Sequence, residues 1–340
     1  MSQAPNQSFS NAFRAVGITF ETILGEDPAM REALKRAEAA AQGDVTVLIL
    51  GESGTGKNLV AQAIHNASKR ASGPYVGLNC SAVPEALIES ELFGHEKGSF
   101  TNAEKQRIGA FERADNGTLF LDEIGDMSLT AQTKVLNAIE YKQFARVGGD
   151  QLLTSNVRFV AATNQPLREL IGTKEFREDL FYRLAEVTVQ IPPLRHRKGD
   201  IPLYAEAFLE EAADKYDRPV RHVSRAALSL LAEHDWPGNV RELRACIRAG
   251  VMFAKGKMLE PKDLSLEVRK LPDTVATNGR GGGTSVGEMG ALDLASVEKT
   301  HIARVLSMCD WKKREAAKLL GVSRPTLDRK IDQYGLTRDE

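Results

Sequence analysis

Val45-Thr46-Val47-Leu48-Ile49-Leu50-Gly51-Glu52-Ser53-Gly54-Thr55-Gly56-Lys57-Asn58-Leu59-Val60-Ala61-Gln62-Ala63-Ile64 is the stretch that decides the architecture. Its first six residues are an apolar, β-branched-rich run of the length of a buried parallel strand. From Asn58 to Ile64, apolar residues fall three and four apart, which predicts a helix. Between strand and helix stands G-x-x-x-x-G-K. In that setting the glycines let backbone N–H groups converge on phosphate oxygens, and the helix N-terminus adds partial positive charge. Lys57 would reach the β- and γ-phosphates. Gly51, Glu52, Ser53, Gly54, Thr55, Gly56, Lys57 and Asn58 are therefore the expected nucleotide-binding residues. Asn58 occupies the position where Ser or Thr usually helps to hold Mg²⁺.

Working outward, Tyr75–Cys80, Leu119–Glu123 and Val157–Ala162 read as second, third and fourth strands, alternating with helical stretches such as Pro28–Ala41. That alternation predicts a parallel α/β sheet with its ligand at the carboxyl ends of the strands. From Ile201 to about Glu267 the pattern reads as purely helical. Leu271–Ala291 is rich in Gly, Thr, Asn and Ser, a flexible linker by composition, and a small helical unit follows Leu292. The expected organisation is a polar segment over 1–20, an α/β ATPase subdomain over 21–195, a helical lid over 196–268, a linker over 269–291 and a DNA-binding unit over 292–340.

Composition narrows the function. The 340 residues are 42% hydrophobic and 27% charged, with net charge -1, so affinity for nucleic acid must be local. Cys80, Cys246 and Cys309 have neither metal nor disulfide spacing. No apolar run reaches the roughly 18–20 residues of a membrane span, and residues 1–20 lack a signal-peptide apolar region. A cytoplasmic protein is expected.

The strand ending in Asp122-Glu123 places two acids beside the phosphate cradle. The first would orient Mg²⁺ through its waters, and the second would polarise the attacking water. Thr163-Asn164 closes the fourth strand, where a polar side chain can sense the γ-phosphate. Phe176–Arg183 carries Arg177 and Arg183 on a predicted helix, and Arg241 follows a turn at a helix start. Arginines of this kind can complete a site from a neighbouring subunit. His95-Glu96 lacks the second histidine of a zinc motif.

Residues from about Ile23 to Glu267 closely resemble the AAA+ domain of bacterial enhancer-binding proteins, the activators of sigma-54 RNA polymerase. The resemblance rests on GESGTGK, ELFGHEKGSFTNA (91–103), GTLFLDEI, FREDLFYRL and WPGNVREL in that order. It implies an ATPase ring, usually a hexamer, with ATP and Mg²⁺ at subunit interfaces. It also implies Asp122 and Glu123 as the Walker B pair, Thr163-Asn164 as the sensor I region and Arg241 as the sensor II arginine. Arg177 and Arg183 would reach the neighbour's ATP, and Asn79 would hold the catalytic glutamate idle. In that family a Gly-Ala-Phe-Thr-Gly-Ala loop touches sigma-54. Here the tip is Gly98-Ser99-Phe100-Thr101-Asn102-Ala103, where Asn at a glycine position is the side chain most tolerant of positive φ. The alternative is a DNA-binding AAA+ regulator, activator or repressor, that works without sigma-54 contact. A helicase loader or unfoldase would leave the insertion and the tail unexplained.

Glu315–Ser323 followed by Arg324–Ile331 reads as helix-turn-helix, with Ser323 as cap, Pro325 in the first turn, and Leu327 and Ile331 facing the core. From Trp311 to Lys330 seven basic and two acidic residues make a local positive patch. The segment resembles the Fis-type DNA-binding domain, which implies paired domains on a near-palindromic site. Ser323, Arg324, Thr326, Arg329 and Lys330 are the expected DNA contacts. Nothing in residues 1–20 reads as a receiver domain, so control is expected from a separate regulatory protein, expression level or assembly, dimer to hexamer.

Overall fold

The computed structural model describes residues 17–99 and 105–264, together with 302, 306, 309, 311–313, 316, 317 and 324–334. The chain divides into two units, Met1–Leu271 and Pro272–Glu340.

In the first unit, helix α1 (Pro28–Ala41) starts where the Asp27 carboxylate accepts from the Ala29 N–H and Pro28 takes the first helical position. It ends against Arg158, whose guanidinium donates to the Ala40 and Ala41 carbonyls. Strand β1 (Val47–Leu50) leads through the glycine turn into α2 (Lys57–Asn66). Then follow β2 (Tyr75–Asn79), α3 (Glu85–Phe93), the single turn α4 (Ala110–Arg113) and β3 (Thr118–Asp122). Helix α5 (Leu129–Tyr141) precedes an antiparallel hairpin, β4 (Gln143–Ala145) with β5 (Leu152–Thr154). Strand β6 (Arg158–Thr163), α6 (Leu167–Gly172), α7 (Glu178–Leu184) and β7 (Val187–Gln190) complete the α/β part.

The sheet is parallel throughout, in the order β2-β3-β6-β1-β7. Period-two alternation places its apolar residues on both faces. Leu48, Leu119, Leu121, Phe159 and Ala161 pack with α3, α5 and α7 on one side. Val47, Ile49, Phe120, Val160 and Ala162 pack with α1 and α2 on the other. Helices thus cover both faces, and the carboxyl ends of β1, β3 and β6 converge on the glycine turn.

Beyond β7, α8 (Ile201–Lys215), α9 (Arg225–Glu233) and α10 (Asn239–Phe253) enclose a separate core around the fully buried Trp236. This part is not purely helical, as the sequence pattern suggested. Two-residue strands β8 (His222–Val223) and β9 (Met258–Leu259) pair in parallel across it. The strand read as the fourth is the sixth in chain order, and the edge strand β7 was not anticipated. The third strand stops at Asp122, because Glu123 turns into the left-handed region (φ 52°).

In the second unit, α11 (Arg324–Tyr334) buries Leu327 and Ile331 against Ile302, Leu306, Cys309, Ala316 and Ala317. The four-residue spacing of Leu327 and Ile331 puts them on one stripe.

Candidate nucleotide site

Backbone geometry builds the phosphate cradle. Gly54 and Gly56 have φ of +80° and +104°, a region that favours glycine, and the Gly51 N–H is fixed on the Thr163 carbonyl at 3.2 Å. Gly56 caps α2, so the free N–H groups of that helix open into the turn. Lys57 is 5% exposed; its Nζ donates to the Gly51 carbonyl at 2.9 Å and pairs with Glu123 Oε1 at 3.3 Å. The second Glu123 oxygen accepts from the Asn164 N–H at 3.0 Å. A cavity of about 930 Å³ opens here, lined by Ser53–Leu59, Asp122, Glu123 and Arg241 together with Ile23, Leu24, Tyr204 and Phe208. The lining supplies polar groups for a phosphate chain and apolar side chains for a flat heterocycle.

Asp122 is nearly buried. Burial, with Glu123 beside it, raises its carboxyl above the usual carboxylate range, against the pull of Lys57 and a hydrogen bond from the Asn58 side chain. Asn58 thus contributes a donor to the Asp122 carboxylate where Ser or Thr would contribute a metal ligand. Among the described residues no group of three or more His, Cys, Asp or Glu could hold a metal ion by itself. Mg²⁺ bound mainly by phosphates and waters needs only one or two carboxylates, and Asp122 fits that requirement.

Two expected residues, Asn79 and Arg177, behave differently from their reading. Asn79 does not hold Glu123: its Oδ1 accepts from the Ser81 N–H, the Ser81 hydroxyl and the Ala82 N–H, capping a short turn. Arg177 is the N-cap of α7 rather than a residue within it, and is paired with Asp179; Arg183 lies in its last turn beside Glu186 at 3.4 Å. Neither arginine lines the cavity, and each is about two-fifths exposed.

Arg195, Arg197 and Asn239, which the sequence pattern does not single out, join the cradle to the lid together with the expected Arg241. Arg195 grips the Glu52 carboxylate at 2.5 and 2.7 Å, which holds Glu52 below the usual carboxylate range. Asn239, fully buried at φ 51°, donates to Glu52 Oε2 and the Ser53 carbonyl and accepts from the Leu194 N–H at 2.8 Å. Arg241 donates through its backbone to Gly54 and through its guanidinium to Ser53 Oγ at 3.0 Å. Arg197, with no exposure, reaches the Thr55 carbonyl and the Tyr204 hydroxyl. In the sequence, WPGNVREL with Arg241 points to this junction, whereas Arg195 and Arg197 show only as two basic residues after Pro192-Pro193.

The insertion leaves α3 through Gly94 and is closed at its neck by a two-way bridge between His95 and Arg107. His95 itself is clasped by Ser90 Oγ at 2.7 Å and the Lys105 carbonyl at 3.0 Å. Glu96 pairs with Arg146, which also holds Glu112. Gly98 has φ +84°. Ser99 lies against Gly148 of the β4–β5 hairpin, so close that a Cβ on Gly148 would meet Ser99 Cβ at 2.5 Å. The Ser99 hydroxyl is buried with no hydrogen-bond partner among the described residues. Phe100, Thr101, Asn102 and Ala103 lie outside the described residues. So does Ser323 of the second unit, where Arg324 and Arg329 are exposed on α11 and Lys330 stands over the Tyr334 ring.

Comparison with known proteins decides the family. The profile of the sigma-54 interaction domain matches residues 23–190, that of the AAA+ ATPase lid domain residues 195–279, and that of the bacterial regulatory protein Fis family residues 293–334. The transcriptional regulatory protein ZraR of Klebsiella oxytoca is 44% identical over 311 residues, covering 92% of this chain and 68% of the relative. The regulatory protein AtoC of Escherichia coli is 42% identical over the same shares of the two chains. This chain belongs to the sigma-54-interacting AAA+ family. Its members are ATPases that regulate transcription and carry a DNA-binding helix-turn-helix, and the architecture above is theirs: a P-loop parallel sheet, a helical lid and a small helical domain. A longer family member, the formate hydrogenlyase transcriptional activator of Salmonella typhimurium, is 41% identical over 98% of this chain and 47% of its own length. Among solved structures of the family, NtrX of Brucella abortus in complex with ADP superposes with a TM-score of 0.72 at 31% identity, over 96% of this chain and 72% of NtrX. Its complex with ATP gives 0.68 at 32%, over 92% and 70%.

Proposed function

We propose that this protein is a DNA-bound activator that uses ATP hydrolysis in an oligomeric ring, dimers assembling to a hexamer, to remodel the closed sigma-54 polymerase–promoter complex. The observation that carries the reading is one cavity uniting the cradle, Asp122, Glu123 and Arg241, with Arg177 and Arg183 exposed elsewhere. With Arg177 and Arg183 outside the cavity of their own subunit, the site would be completed by those of a neighbour in a head-to-tail ring. Lys57, released from Glu123, would neutralise the β- and γ-phosphates. The freed Glu123 carboxylate would take the proton of the attacking water as the new P–O bond forms and the bridging P–O bond breaks. Mg²⁺, held through Asp122 and water, would supply charge neutralisation at the phosphates. Thr163 and Asn164 would sense the γ-phosphate, since the Asn164 N–H already touches Glu123.

The Gly98–Ala103 loop would carry the motion to sigma-54, and Ser323, Arg324, Thr326, Arg329 and Lys330 would bind upstream DNA. The work takes place in the cytoplasm, where promoter and polymerase are. Among the described residues no helix is long and apolar enough to cross a membrane. The test is binding of purified protein to sigma-54 with ADP and aluminium fluoride, which mimics phosphoryl transfer. A nucleotide-dependent complex, lost in Phe100→Ala, is expected. A second reading, regulation without sigma-54 contact, is favoured by Ser99 and Asn102 standing where the family's loop has Ala and Gly. It takes over if no complex forms while ATPase activity and assembly are intact.

A further inference from the structure

The Gln132 side chain on α5 is completely buried, in a core otherwise filled by Ala131, Val135 and Leu136. Packing there calls for volume; an amide is tolerated only where its polar atoms are matched. All are. Its Nε2 donates to the Met127 carbonyl at 2.7 Å and to the Glu175 carbonyl at 3.0 Å, and its Oε1 accepts from the Arg177 N–H at 2.8 Å. The partners come from two loops. Met127 ends the short turn Ile124–Asp126 that follows Asp122-Glu123. Glu175 and Arg177 flank the buried Phe176 just before α7. One amide therefore pins the loop bearing an exposed arginine against the loop leaving the catalytic carboxylates. The next residue of α5 continues the job, since Thr133 Oγ1 accepts from Arg177 Nη1 at 3.3 Å. Asp179 holds the other side of the guanidinium at 2.6 and 3.0 Å.

We propose that Gln132 is the positioning residue for Arg177, fixing the backbone from which that guanidinium reaches the nucleotide of the neighbouring subunit. The inference rests on the reading of Arg177 as a residue that acts across an interface. A misplacement of about 1 Å in such a group can cost roughly a hundredfold in rate.

Mixed oligomers test it. Glu123→Gln subunits keep Arg177 but lack the base; Arg177→Ala subunits have the base but no arginine to lend. Mixed in equal amounts, about a quarter of head-to-tail interfaces combine an intact Glu123 with an intact Arg177, and ATPase activity returns. Gln132→Met placed in the Glu123→Gln subunit, the arginine donor, is expected to cut the recovered rate by about tenfold or more. The same substitution in the Arg177→Ala subunit, the acceptor, where it affects only the Met127 loop, is expected to cost far less than on the donor side, and the activity recovered there also shows that the substituted chain folds, assembles and binds ATP. Equal loss on both sides would make Gln132 mere scaffold and overturn the proposal, as would no loss on either. If the unsubstituted mixture recovers nothing although its oligomers are intact, the cross-subunit reading of Arg177 falls, and the role of Gln132 with it. Should the Met variant fail to assemble, Gln132→Glu, which keeps the acceptor for the Arg177 N–H, is compared in the same two positions.

Discussion

Asn239 offers a sharp test of how cradle and lid are joined. In Asn239→Ala the buried Leu194 N–H loses its acceptor, an orphan donor that costs about 2 kcal/mol. Alanine must also adopt φ 51°, which adds about 1 kcal/mol over asparagine. The lost donation to Glu52 counts for little, because Arg195 and water remain to serve that carboxylate. The expected loss is about 3 kcal/mol for alanine and about 2 kcal/mol for glycine, which is free of the backbone term. Urea unfolding read by Trp236 fluorescence reports on this place directly, since Trp236 is fully buried and its carbonyl accepts from the Asn239 N–H at 2.7 Å. The chain has two tryptophans, so the series is made in a Trp311→Phe background. A loss below about 1 kcal/mol for alanine, or an equal loss for both variants, would refute the reasoning from an orphaned donor and a left-handed backbone.

Other perturbations follow from the same contacts. Gly54→Ala would place a Cβ 2.3 Å from the Gly238 carbonyl at φ +80°, so ATP binding by calorimetry should be lost; near-normal affinity would contradict the close approach of cradle and lid. Glu123→Gln should still bind ATP while turnover falls about 10²–10⁴-fold, and unchanged hydrolysis would remove Glu123 from the mechanism. Arg195 lowers the Glu52 carboxyl, so the stabilisation is complete above the ordinary carboxylate range and is lost as pH falls through the lowered folded value. The gap in thermal midpoint between wild type and Glu52→Gln should therefore close on acidification, and a gap constant with pH would exclude the ion pair as its source.

The parts legible in the sequence are those whose chemistry is local along the chain. Helix α1 announces both ends through Asp27, Pro28 and its run of alanines, and the cradle declares itself through glycines that only positive φ explains. The Glu52–Arg195 pair spans 143 residues and the Asn239–Ser53 bond 186, so neither leaves a periodic trace. Strands β8 and β9, two residues each, are too short to alternate, and the helices around them set the pattern instead. An asparagine at a strand end can hold a distant carboxylate or cap the next turn, and at Asn79, expected to hold Glu123, the local bonds win. Gln132 sits among apolar neighbours in a helix, where sequence pattern alone registers only a flaw in the stripe.

The lid has a root outside itself. Asp200, wholly buried at the start of α8, accepts from the Glu26 and Asp27 N–H groups at 2.7 and 3.0 Å, while the Tyr204 hydroxyl donates to the Leu24 carbonyl. Residues 24–27, which come before the first helix, therefore help to seat a helix some 170 positions downstream. For modular exchange this sets a rule of grafting. A foreign segment joined after Asp27 would strip Asp200 of two donors and leave a carboxylate buried without them, at a cost of several kcal/mol. Whatever is spliced onto this ATPase, by recombination or by design, the seam belongs ahead of Leu24.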